Sequence, residues 1–144
     1  MKMVKKIFLS FLILLMLAPL LFAQVRRVTP NELTIAWNEV TTDIGGDTIT
    51  GVLYEVYILQ NGADKTDESL WILSTVTSQT SATISFAGLP TGEYLLGVRS
   101  MYNVGETTLY SEMNWSDVNG EMTPDPFVIV YAKPPVTPEG LRIP

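Results

Sequence analysis

The chain has 144 residues, 47% hydrophobic and 17% charged, with a formal net charge of −6, which suits one domain of ordinary size. It contains no Cys, so no disulfide staples the fold and no thiol serves as nucleophile. It also contains no His, which removes the commonest general base and the commonest metal ligand.

The first 23 residues have the layout of a secretory signal peptide. Lys2, Lys5 and Lys6 precede an almost wholly apolar run from Ile7 to Phe22, and Ala23 with Leu21 offers a cleavage site before Gln24. The apolar run falls slightly short of the roughly 20 residues that span a bilayer, so an uncleaved anchor is the alternative. Removing the three lysines takes the formal charge from −6 to −9. Such an acidic chain is not suited to nucleic acid or anionic membrane, and a secreted, periplasmic or cell-surface location is expected.

From Gln24 a short extended lead-in precedes a strand in which Leu33, Ile35 and Trp37 share one face. A polar loop, Glu39 to Thr50, leads to a strong strand over Gly51 to Gln60. There Tyr54, Val56 and Ile58 alternate with Glu55, Tyr57 and Leu59. Asn61 to Ser69 is a turn by composition, and Leu70 to Val76 is a weaker strand expected at a sheet edge.

The stretch Ser81 to Asn103 then reads as strand, tight turn, strand, like a hairpin. Ile84 and Phe86 lie on one limb, Tyr94, Leu96 and Val98 on the other, and Leu89-Pro90-Thr91-Gly92 forms the turn, with Gly92 supplying the unusual backbone conformation. A loop over Val104 to Glu112, a short strand near Met113 to Trp115 and a β-rich piece from Pro126 to Lys133 follow. No window after residue 23 carries helical periodicity beyond two turns. Short strands with regular turn signals predict an all-β sandwich of about seven strands. The expected boundaries are a signal peptide at 1–23, a domain at 24–116, an extra β-rich extension at 117–133 and a Pro-rich tail at 134–144.

Four segments in order resemble the fibronectin type III family. VTPNELTIAW (28–37) is similar to its second strand, with Trp37 inward. GGDTITGVLYEVY (45–57) is similar to its third strand and the preceding loop. LPTGEY (89–94) resembles its tyrosine corner, one residue shorter than usual, and VRSMYNVGETTLYSE (98–112) is similar to its sixth strand and following loop. The resemblance covers about Val25 to Trp115. It implies an immunoglobulin-like two-sheet β-sandwich in which Trp37, Tyr54, Leu89, Tyr94 and Val98 are structural, with the Tyr94 hydroxyl bonding backbone at the turn. Two departures stand out. Cleavage before Gln24 leaves only half of the family's first strand, and Asp117 to Lys133 is a segment the family does not require, placed to add a strand or to lie along a sheet edge. Residues 138–143 look like the start of such a first strand, so Leu141 and Ile143 are candidates to fill a vacant sheet edge in the same or a neighbouring domain.

Candidate chemistry is sparse. Asp43 and Asp47, and then Asp64, Asp67 and Glu68, lack the alternating spacing of a calcium loop and read as solvated turns. No metal site, cofactor or catalytic residue is assigned. Asn114-Trp115-Ser116 fits the glycosylation pattern inside a strand and reads as chance. Trp71, Tyr57 and Tyr102 are candidate outward aromatics for a protein or sugar partner, the bland reading being a covered sheet face beside Leu59 and Leu73. The expected function is non-catalytic: a secreted or surface-exposed interaction, adhesion or spacer module. The alternatives are a cell-surface or virion assembly subunit that self-associates through its tail, or a carbohydrate-binding module.

Overall fold

The computed structural model describes residues 24–28, 31–118, 123 and 125–133. The predicted signal segment, Leu141 and Ile143 lie outside the described residues. The described residues are all-β, with one single turn of 3-10 helix at Glu68–Leu70 among them. Nine strands follow in order: β1 (Gln24–Val28), β2 (Glu32–Ala36), β3 (Leu53–Gln60), β4 (Ile72–Thr77), β5 (Ser81–Ser85), β6 (Gly92–Val104), β7 (Thr107–Tyr110), β8 (Asn114–Trp115) and β9 (Phe127–Tyr131).

They form two sheets. The larger runs β1-β9-β6-β3-β4, with β7 and β8 also paired to β6, and the smaller is β2-β5. β6 organises the larger sheet. One edge of it takes β3 over eight residue pairs, and the other takes β7, β8 and β9 in succession toward its N-terminal end. β1 pairs with β9 in parallel, Gln24 opposite Phe127 through Val28 opposite Tyr131.

The core lies between the sheets. From the larger sheet Val56, Ile58, Tyr94, Leu96, Ile129 and Tyr131 point inward, and Ile84 and Phe86 meet them from the smaller side. Leu33, Ile35, Trp37, Leu89 and Val98 pack around this cluster. The Phe86 ring is stacked on Tyr131 at 5.9 Å and tilted against Tyr94 at 6.1 Å, and Trp37 meets Tyr54 edge-on at 5.4 Å. The period-two rows on β2, β3 and β6 are inward-facing because alternate residues of a strand share a face.

Three sequence expectations change. The Ser81–Asn103 stretch is not a hairpin: β5 pairs with β2 and β6 pairs with β3, so the turn carries the chain from one sheet to the other. Its left-handed residue is Gly88, at φ +87°, whereas Gly92 opens β6 in an ordinary conformation. The supposed loop after Asn103 is a hairpin, with Gly105 at φ +61° letting β7 fold back on β6. Segment 117–133, set apart as a β-rich extension that could add a strand, does add one: β9 supplies Ile129 and Tyr131, both almost wholly buried in the main core.

Tyr94 sits where the crossing turn meets β6. Its hydroxyl donates to the Pro90 carbonyl at 2.7 Å. At the same end Phe86 N–H donates to the Asn31 carbonyl and Lys133 N–H donates to Thr91 Oγ1, so four chain segments converge there.

Candidate interaction surface

The outer face of the larger sheet carries what the inner face does not need. Alternation along β3 and β6 turns Glu55, Tyr57 and Leu59 outward from the first and Leu95, Gly97 and Arg99 from the second. The register sets Glu55 against Arg99, Tyr57 against Gly97 and Leu59 against Leu95. Gly97 leaves a slot there. A Cβ at that position would lie 2.7 Å from both the Trp115 ring and the Met113 sulfur, so these two side chains lie directly on the strand backbone. Trp115 then covers Leu59 and Leu95, making a second small core with Trp71, Met113, Ala63 and Val128 around it.

Arg99 is the centre of the remaining surface. Its guanidinium lies 4.4 Å from the Tyr110 ring centroid, 5.3 Å from Tyr57 and 5.5 Å from Trp71. Arg99 Nε donates to Glu55 Oε2 at 2.8 Å, and Nη2 donates to the Tyr57 hydroxyl at 3.2 Å. The Tyr57 hydroxyl in turn donates to the same Glu55 oxygen at 2.8 Å, and Glu68 stands 3.6 Å from Nη1. Tyr57 and Trp71 meet edge-on at 5.5 Å, as do Trp71 and Trp115.

The Arg99 and Glu55 side chains are only 14% and 12% exposed, so this pair is far better shielded than an ordinary surface ion pair. Burial pushes the Tyr57 phenol up from its ordinary value, helped by its bond to Glu55 and opposed by Arg99. Burial works against the charged form of Arg99, but the Glu55 bond and the nearby charges outweigh it and raise its pKa. The arrangement holds a permanent cation between aromatic faces and a carboxylate, which suits recognition and structural locking. Among the described residues no three acidic, His or Cys side chains converge to hold a metal.

The sequence-singled residues do not all meet. Tyr57 and Trp71 belong to the array. Tyr102 lies on the opposite face of β6, three residues from Arg99 and paired with Leu109. Arg99 and Tyr110, which complete the array, were missed, because an Arg in a strand and a Tyr in an apparent loop give no pattern until β7 pairs with β6. The loop acids are local caps: Asp43 Oδ1 accepts from Gly45 N–H and Asp47 N–H, Asp64 Oδ1 from Thr66, and Asp67 Oδ1 from Ser69. Asn114 is held inside the fold, where its Oδ1 accepts from Thr123 Oγ1 at 2.6 Å.

No family model, curated protein or solved structure matches the chain.

Proposed function

We propose that the chain is an exported, fibronectin type III-like sandwich that acts without catalysis, as an interaction module using the outer face of its larger sheet. The observation that carries the reading is the Arg99 array: a shielded cation, three aromatic rings and a carboxylate on a rigid sheet face. Rigid aromatic and Arg groups on a fixed scaffold are the side chains that dominate protein recognition. The fibronectin-like identity is supported by the Tyr94-to-Pro90 bond at the sheet crossing and by the inward row of Leu33, Ile35 and Trp37.

A sugar-binding role is less well supported, because sugars stack on open ring faces. Arg99 lies against all three rings, closest to Tyr110, and of the three only Tyr110 is half-exposed. The test is site-specific photo-crosslinking in the producing cell. A photo-reactive residue at Tyr110 is expected to capture one discrete exported protein, and the same residue at Thr34 on the smaller sheet is expected to capture none. No product, or equal products from both positions, would overturn the reading. Selective binding on a glycan array, abolished by Tyr110→Ala, would replace it with the carbohydrate-binding alternative.

A further inference from the structure

The strand order of the larger sheet ends in β1 and β4, while β7, only four residues long, is also paired on one side only, by β6. β1 closes one end of that order. β4 closes the other with the sequence ILSTVT, which has no charge, no Pro and no Gly. An edge strand directs alternate N–H and C=O groups away from its sheet, where they await a partner. Along this edge the apolar side chains are also uncovered: Leu70 is 44% exposed, Ile72 45%, Leu73 51% and Val76 44%. The smaller sheet offers nothing comparable. β5 exposes Ser81, Thr83 and Ser85 while Ile84 is buried, and β2 carries Glu32.

From this edge we infer that β4 pairs antiparallel with β4 of a second copy of this chain, joining two larger sheets into one. The strand is complementary to itself in one register. β4 is irregular opposite β3 between Val56 and Tyr57, where the pairing passes from Thr75 to Leu73 and skips Ser74. That shift puts Leu73 and Val76 on the same outer face, beside Tyr57 and Glu55, and Ile72 and Thr77 on the inner one. A two-fold axis between Ser74 and Thr75 therefore sets Leu73 opposite Val76 of the second copy, and Ile72 opposite Thr77. Both faces are kept, and no charges meet. Such an interface is isologous and closes at two copies, whereas joining β4 to β1 would propagate. This goes beyond the proposed partner surface and does not depend on it, since the array faces outward from the sheet and the pairing runs along its edge.

One strand pair lies below the about 1,200 Å² typical of stable interfaces, so the dimer is concentration-dependent. The chain is acidic, so the two copies repel and added salt strengthens the association, opposite to the capture of a basic partner.

The test is sedimentation velocity across a concentration series, with two sets of variants. Wild type is expected to shift from monomer to dimer with rising concentration, more readily at high salt. Val76→Lys, checked for an unchanged melting temperature, is expected to weaken dimerisation by about a hundredfold, because the charge enters the contact twice. Leu73→Cys and Val76→Cys, each the sole cysteine in its chain, are expected to give a mixed disulfide when combined and little when oxidised alone. A monomer at every concentration overturns the inference and leaves the edge to another occupant. Equal disulfide yields from the single variants overturn the register.

Discussion

Tyr94 and Arg99 both hold the sandwich, by different physics. The Tyr94 ring is buried against Phe86, and its hydroxyl answers the Pro90 carbonyl at the point where the chain changes sheets. Tyr94→Phe keeps the ring and removes the donor, leaving a part-buried carbonyl without that partner. Such a loss typically costs about 1–3 kcal/mol. For a domain of this size it should lower the melting temperature by several degrees, and an unchanged thermal or urea midpoint would show that the bond contributes nothing. Arg99 is held by neighbours that must all be in place, so its loss affects several contacts at once. Arg99→Leu is expected to lower the urea midpoint more than Lys65→Leu. The latter removes only the more exposed Lys65–Asp117 pair, a class worth about 0–1 kcal/mol. Equal midpoints for the two variants would mean that the array adds nothing beyond an ordinary surface contact.

At the scale of elements, the inward rows of β2, β3 and β6 were legible because alternation is local and needs no knowledge of pairing. The partners of each strand were not legible. β5 and β6 read as a hairpin by composition, because Leu89 to Gly92 marks a turn without marking which strands pair beyond it. Only the resemblance of 89–94 to a tyrosine corner pointed to a sheet-joining end. β7 read as a loop because Thr107, Thr108, Leu109 and Tyr110 are all exposed and show no alternation. β9 read only as a β-rich extension with no assigned place, although Ile129 and Tyr131 are among the most deeply buried side chains. The bridge that makes β9 integral is Ser116: its N–H donates to the Leu96 carbonyl, its Oγ accepts from Leu96 N–H, and its own carbonyl accepts from Phe127 N–H. One signal did exist, Gly97 in the middle of a strong strand, which marks a close approach. Gly97→Ala is expected to displace Trp115 and Met113 and to destabilise by about 1–3 kcal/mol, the usual cost of overpacking. Near-ultraviolet circular dichroism should report the disturbed indole, and an unaltered spectrum with an unaltered midpoint would contradict the close contact.

For the molecule as a whole, composition and burial together set the pH range of stability. With no His in the chain, no side chain of ordinary pKa titrates near neutrality, so a broad plateau is expected there. On the alkaline side Tyr57 and Tyr94 are both raised above the ordinary value of 10.0, chiefly by burial. The folded state then holds these phenolic protons more tightly than the unfolded chain does. Stability from this source is complete below the unfolded value, and it is lost as pH rises through the raised folded values, because the unfolded chain ionises first. On the acid side Asp64, held low by its bonds from Thr66, acts in the opposite sense and loses its contribution as pH falls, but it is fully exposed and its share is small. Urea midpoints measured from neutral to strongly alkaline pH should therefore stay level and fall only above about pH 10. Tyr57→Phe and Tyr94→Phe should each flatten that fall while lowering the plateau. A decline beginning near neutrality, or variant profiles that run parallel to wild type throughout, would show that these two phenols do not govern the alkaline limit.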